Sequence, residues 1–221
     1  MWTPGDLAIL VPMLGRAHTI TPLVESITST TPGAVVVFVC TAGDRDVIDT
    51  ATATGATVLT MAPRVRGDYA AKINHGYRCT TQRLLFTGAC DLRFRPGRFD
   101  AATAKLTGGI GVVGTNDLGN RRVTSGRHAT HSLVTRAYAD EYGTIDHPGV
   151  ILHEGYVHEF VDDELVGTAR HRGAFAMALD SHVEHLHPDW GKADYDAMYR
   201  AQKTRLNESR ALYAKRRRLW T

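Results

Sequence analysis

Two runs near the start of this chain, Leu7-Ala8-Ile9-Leu10-Val11-Pro12 and Ala34-Val35-Val36-Val37-Phe38-Val39-Cys40, are apolar at every consecutive position. A strand with one wet face alternates polar and apolar residues. A strand without alternation is buried on both faces, as in parallel sheets covered by helices on each side. The segments between the runs carry helix signals. Thr19 or Thr21 can cap a helix through Leu23, Val24 and Ile27, with Pro22 tolerated in the first turn and Pro32-Gly33 ending it. Asp44 opens a second helix that ends at Gly55, and Thr57-Val58-Leu59-Thr60 reads as a short strand. Asp68 starts a helix through Ala70, Ala71, Ile73 and Tyr77, which leads to Leu84-Leu85-Phe86-Thr87-Gly88-Ala89-Cys90-Asp91. The βαβαβαβ order predicts an α/β fold with a mostly parallel central sheet. Asp91 ends its apolar run and is followed by the loop Arg93-Phe94-Arg95-Pro96-Gly97. Sheets of this kind bind ligands beyond the carboxyl ends of their strands, which puts Asp91 at the mouth of a site.

Further along, the pattern predicts a helix from Phe99 to Leu106 and a strand Ile110–Gly114. Thr115 to Pro148 is polar and aperiodic and reads as loops with a short hairpin. Asp163–Arg170 has helical character, Ala174–Leu179 reads as a strand, and Tyr195–Trp220 as one long C-terminal helix. With no internal repeat or low-complexity linker, residues 1–221 are expected to form a single domain. No apolar run reaches membrane-span length, and Met1–Asp6 lacks the basic start of a secretory signal. Cys40, Cys79 and Cys90 are odd in number and form no C-x-x-C, so a reducing, cytoplasmic setting is expected. The formal charge of +3 is concentrated in Arg210, Lys215, Arg216, Arg217 and Arg218. Such a tail is either a solvated helix end or a contact for a polyanion, centred on Lys215–Arg218.

Several chemistries are excluded by spacing. His153-Glu154 and His158 suggest a zinc protease, but histidines five apart sit about 140° from each other on a helix and cannot share a metal. There is no G-x-x-x-x-G-K-[ST] phosphate loop and no G-x-S-x-G elbow. Three groups remain: Asp91, the acidic knot Asp162-Asp163-Glu164 at a helix start, and the histidines His182, His185 and His187 ahead of Pro188.

Taken in order, Val11-Pro12 with Arg16, Gly67-Asp68-Tyr69-Ala70-Ala71-Lys72-Ile73-Asn74, Ala89-Cys90-Asp91 and Phe160-Val161-Asp162-Asp163-Glu164-Leu165 resemble the GT-A nucleotide-sugar glycosyltransferases. The match is to family-2-like members, including small phage-type ones, over roughly Leu7 to Pro188. The resemblance implies a Rossmann-like GT-A sheet with a nucleotide-binding half of about 1–114, an acceptor-side half of about 115–192 and a basic C-terminal helix of about 193–221. It places Pro12, Arg16, Thr41, Asp68, Lys72, Asn74 and Asp91 on the donor, a UDP- or GDP-sugar. The family's strand-end D-x-D holds Mn²⁺ or Mg²⁺; here only Asp91 survives, with Ala89 and Cys90 where acids are usual. His185 is implied to complete the metal shell, with His187 close behind. Asp162 is implied as the base toward an acceptor hydroxyl on a glycan, a protein or a modified DNA base, with Glu164 as its partner in the site. The competing expectation is a non-catalytic GT-A-like or nucleic-acid-binding module that works through the C-terminal arginines.

Overall fold

The computed structural model of the protein describes residues 1–221 apart from Gln202. Its strands are β1 (Leu7–Pro12), β2 (Val35–Thr41), β3 (Thr57–Met61), β4 (Leu84–Thr87), β5 (Leu92–Phe94), β6 (Val112–Asn116), β7 (Ser132–Thr135) and β8 (Phe175–His185). Its α-helices are α1 (Ile20–Thr30), α2 (Arg45–Ala53), α3 (Asp68–Arg78), α4 (Arg98–Thr103), α5 (Arg121–Thr124), α6 (Arg136–Glu141), α7 (Val161–His171), α8 (Ala197–Thr204) and α9 (Leu206–Arg216).

The strands form one eight-stranded sheet in the order β3-β2-β1-β4-β7-β6-β8-β5. β1 to β4 are mutually parallel, as are β6 and β8, while β7 and β5 run against their neighbours. This is the mostly parallel α/β sheet that the unbroken apolar runs predict. β1 shows why those runs do not alternate. Leu7, Ile9 and Val11 enter a core with Ile20, Leu23 and Ile27 of α1, whereas Ala8 and Leu10 enter a second core with Ala70, Ile73 and Tyr77 of α3. Each face of the strand is covered by a different helix layer, so every position must be apolar.

The chain reverses direction across the sheet between β1 and β4, since β2 and β3 lie on one side of β1 and β4 on the other. Such a switch point opens a crevice at the carboxyl ends of the two strands. Met13 to Arg16 leave β1 at this crevice, and Gly88 to Asp91 leave β4 there. Gly88 is required by close approach: its amide donates to the Leu10 carbonyl at 2.8 Å, and a Cβ would stand 2.7 Å from that oxygen.

The second half departs from expectation in four places. Leu92–Phe94 is not loop but strand, paired antiparallel with the end of β8. β8 extends to His185, with a register shift after its Thr115–Ala178 pairing that brings His182 opposite Asn116. Thr115 to Pro148 holds α5, β7 and α6, with β6 and β7 antiparallel across a long connection. The long C-terminal helix is two helices. Asp196 caps α8 through the Tyr199 amide at 2.9 Å, so the helix begins only at Ala197. Arg205 leaves helical geometry between α8 and α9, its guanidinium reaching the Val65 carbonyl and Glu208. Among the described residues no helix is long and apolar enough to cross a membrane.

Candidate functional site

Asp91 sits one residue before β5, and the pairing of Leu92 with His185 sets it beside the end of β8. The Leu186 amide donates to the Asp91 carbonyl at 2.9 Å, which locks the two segments together. The His185 Nε2 consequently lies 3.3 Å from the Asp91 carboxylate, and both side chains are nearly buried. Burial would raise the Asp91 carboxyl, but the facing His185 and the hydrogen bonds it receives outweigh that and hold it well below the usual carboxylate range. Burial would lower His185 in turn, and Asp91 raises it above its ordinary value.

Behind this pair lies His131, on the chain entering β7. Its Nδ1 donates to the Thr87 carbonyl at 2.7 Å, and its ring meets His185 edge to face at 5.1 Å. Burial and the nearby His185 push it down to about 4, so it is neutral at pH 7. His187 has a different task. Its Nδ1 accepts from the Asp189 amide at 3.1 Å, capping the turn Pro188–Trp190, and its ring packs on His185 and Tyr199. The structure therefore brings His185, and not His187, to the Asp91 carboxylate.

Arg16 reaches the crevice from the other side. It holds a left-handed conformation with φ +59° directly after Gly15 at φ +61°, a rare backbone for a non-glycine residue. The Thr19 amide and hydroxyl on the Arg16 carbonyl, and the Gly15 amide on Asp44, stabilise that turn. Its guanidinium forms a two-pronged pair with Asp196 at 2.7 and 2.8 Å, lies 3.9 Å from Asp91 and stacks on the Tyr199 ring at 4.0 Å. The Tyr199 hydroxyl donates to Asp91 at 2.6 Å. The segment leading into α8 thus covers the groups that the resemblance implies for a phosphate and a cation.

Three residues expected on the donor serve as internal braces instead. Lys72 is fully buried, and its ammonium donates to the Met13 carbonyl at 2.6 Å, the Thr41 hydroxyl at 2.7 Å and Asp68 at 2.8 Å. An ammonium has three donors, so none is left for a phosphate. Thr41 is the second partner in this clasp, which holds the β1 exit loop and fixes the part-exposed Asp68 carboxylate at the crevice. Asn74 is also fully buried. It accepts from the Ile151 and Leu152 amides and donates to the Leu152 carbonyl and Glu154, tying down loop 151–154. Pro12 ends β1 below the exit loop.

Across the cleft, α7 begins at Val161 and presents Asp162 beside Tyr69, Thr130 and Ser132. His128, itself buried, bonds Asp162 through Nε2 at 3.0 Å. Burial would raise Asp162, but this bond and the His128 charge lower it below its ordinary value. The mostly buried Asp163 carboxylate pairs with Arg122 at 2.6 Å. His128, Asp162 and Asp163 stand close enough to share a small cation. Glu164 is removed from the cleft. Its buried carboxylate accepts from Tyr156 and twice from Arg216, each at 2.7 Å, and Arg216 also forks onto Asp146. Arg216 is therefore not part of an exposed basic patch, although Lys215, Arg217 and Arg218 are exposed.

The sequence did not reveal Tyr199, Asp196, His128 or His131. The two histidines lie in a segment with no periodicity, and Tyr199 and Asp196 lie in a stretch read only as helix. The single local clue was two histidines three apart ahead of an apolar strand.

No family model matches the sequence, and no curated protein does. Solved structures do match. A crystal structure of glucosyl-3-phosphoglycerate synthase from Mycobacterium tuberculosis with Mn²⁺, UDP and phosphoglyceric acid aligns with a TM-score of 0.66 at 15% identity, covering 97% of this chain and 82% of that one. The same enzyme with Mn²⁺, UDP-glucose and phosphoglyceric acid aligns at 0.65 and 18% identity, covering 98% and 84%. A further structure described as a mycobacterial protein aligns at 0.64 and 17% identity over 96% and 78%. The chain has the GT-A-like fold of these structures.

Proposed function

We propose that this chain is a divalent-metal-dependent glycosyltransferase that moves a sugar from a UDP-sugar to an acceptor hydroxyl. The observation that carries the reading is Asp91 facing His185 at the switch point, with Arg16 alongside. UDP is favoured as the nucleotide because the fold neighbours are described with UDP or UDP-glucose. One carboxylate oxygen and one imidazole nitrogen at one point suit Mn²⁺ or Mg²⁺, which take their remaining ligands from phosphate oxygens and water. A bound cation there would neutralise charge developing on the departing diphosphate. The protein's own groups do the rest. Asp91 and His185 would hold the cation, Arg16 would fork onto a phosphate, and Asp68, fixed by Lys72, would meet the nucleoside. Asp162 would accept the acceptor's proton while the acceptor oxygen bonds the anomeric carbon and the carbon–diphosphate bond breaks, its electron pair leaving on UDP. Asp162 suits this role because His128 fixes its carboxylate beside the cleft.

The test is UDP binding by calorimetry with and without Mn²⁺, together with UDP release from UDP-glucose. Wild type should bind UDP more tightly with Mn²⁺ and release UDP, and Asp91→Ala should lose the Mn²⁺-dependent gain. UDP affinity indifferent to Mn²⁺ in wild type would overturn the reading.

A further inference from the structure

His185 can serve a cation through Nε2 only if that nitrogen carries a lone pair, which leaves the ring hydrogen on Nδ1. Metal-bound histidines nearly always donate that second hydrogen to a fixed acceptor, which sets the tautomer and the ring orientation. The His185 Nδ1 is buried and has no partner. The ring beside it, edge to face at 5.1 Å, is His131, whose Nε2 is also buried and unpartnered. The state of His131 follows from its other nitrogen. Nδ1 lies 2.7 Å from the Thr87 carbonyl, which can only accept, so Nδ1 carries the hydrogen and neutral Nε2 is a pure acceptor. Two adjacent buried rings thus hold one unsatisfied donor and one unsatisfied acceptor, and unpaired buried polar groups of this kind are rare.

No hydrogen bond joins these two nitrogens in this structure, but rings with centres 5.1 Å apart are near enough for one to form on a small rotation. We propose that His131 is a positioning residue: when a cation takes the His185 Nε2 lone pair, the His131 Nε2 takes the His185 Nδ1 hydrogen and holds that ring toward the cation. In the cation-bound state the relay would run from the Thr87 carbonyl at the end of β4 through His131 to His185, and so back to Asp91, which follows the same strand. It gives the surviving carboxylate a rigidly aimed partner where the neighbouring acids, replaced by Ala89 and Cys90, are missing. The backbone of His131 is held independently of its ring, because the Thr115 amide and hydroxyl both donate to its carbonyl.

The inference rests on the proposed cation site, and two variants separate its roles. In His131→Asn the amide nitrogen can replace Nδ1 on Thr87, but nothing replaces Nε2. In His131→Gln the longer side chain can place an oxygen near the Nε2 position and gives up the Thr87 bond. The measurement is UDP affinity by calorimetry with and without Mn²⁺, with the melting temperature of each variant. The relay predicts that His131→Asn loses about 10- to 100-fold of the Mn²⁺-dependent gain, as outer-shell partners of metal ligands do. Its Mn²⁺-free UDP affinity should stay unchanged, and His131→Gln should keep most of the gain. The opposite ranking, or equal gains in both variants and wild type, would overturn the proposal and leave His131 as a brace on Thr87. A wild type with no Mn²⁺-dependent gain would overturn the cation site and the relay with it, which a failure confined to the variants would not do.

Discussion

A nucleotide and cation that use Asp91, His185 and Arg16 must first displace Tyr199 and Asp196, and the size of that competition can be worked out. Between Gly191 and Arg200 only Tyr199 is buried; outside the crevice the segment is tied by Lys192 to Glu184 and the Leu118 carbonyl and by the part-exposed Tyr195 to Asp189, so its crevice contacts are a large share of what holds it. A hydrogen bond to a charged acceptor is worth about 1.5–3 kcal/mol net. The Arg16–Asp196 pair adds about 1 kcal/mol or less, because the Asp196 side chain is 43% exposed and screened. Tyr199→Phe removes the hydroxyl on Asp91 and keeps the ring that stacks on Arg16. Apparent affinity is the intrinsic affinity reduced by the fraction of molecules that are open. Since about 1.4 kcal/mol is tenfold, the variant should bind UDP with Mn²⁺ about 10- to 100-fold more tightly than wild type. Isothermal calorimetry reads this directly, and tryptic cleavage after Arg200 should accelerate when UDP and Mn²⁺ are added to wild type. Weaker binding by Tyr199→Phe would refute the reasoning, because it would mean that the hydroxyl contacts the bound ligand. Unchanged binding would refute it as well, because the Tyr199–Asp91 bond would then not be closed in solution.

Arg216→Met strips the buried Glu164 of its cation, which costs about 3–5 kcal/mol and should lower the melting temperature by about 10 °C; differential scanning calorimetry checks it, and an unchanged transition would refute the brace. Asp162→Asn should keep the affinity for UDP with Mn²⁺ and lower turnover by about 10²-fold or more, measured as UDP release with saturating acceptor; a wild-type turnover would remove the base. His128 has its pKa raised by Asp162 against the opposing effect of burial, so the stability it adds is fully present below its unfolded value of about 6.5 and is lost as pH rises through the raised folded value. The stability gap between wild type and His128→Gln, from urea unfolding, should therefore be wider at pH 5.5 than at pH 8.5, and a pH-independent gap would contradict the assignment.

The first half of the fold was legible because each signal was local and redundant. β1 and β2 announce two-sided burial residue by residue, and the proline and glycine stops around α1 and α2 agree with them. The second half was not, because its order comes from distant pairings. Leu92–Phe94 becomes a strand only because Val183–His185 lies opposite it, and that partner is about 90 positions away. The same pairing sets His185 on a strand end, where it meets Asp91.

At the site, residue type and rough position were readable and the role often was not. Lys72, Asn74 and Glu164 carry chemistry suited to a ligand, and all three are consumed inside the protein. What separates a brace from a ligand-binding group is a count of filled valences, and each partner that fills them lies far along the chain. Lys72 meets Met13 and Thr41, Asn74 meets loop 151–154, and Glu164 meets Arg216. Asp91, His185 and Arg16 differ in kind. Asp91 and Arg16 are occupied by a lightly anchored segment, and His185 keeps a buried nitrogen with no partner at all. Buried charge must be satisfied, so under the proposed function a site that receives a cation and a diphosphate would be satisfied between turnovers by groups of the same kind. Asp196 offers Arg16 the paired oxygens of an anion, and Tyr199 offers Asp91 a positive hydrogen.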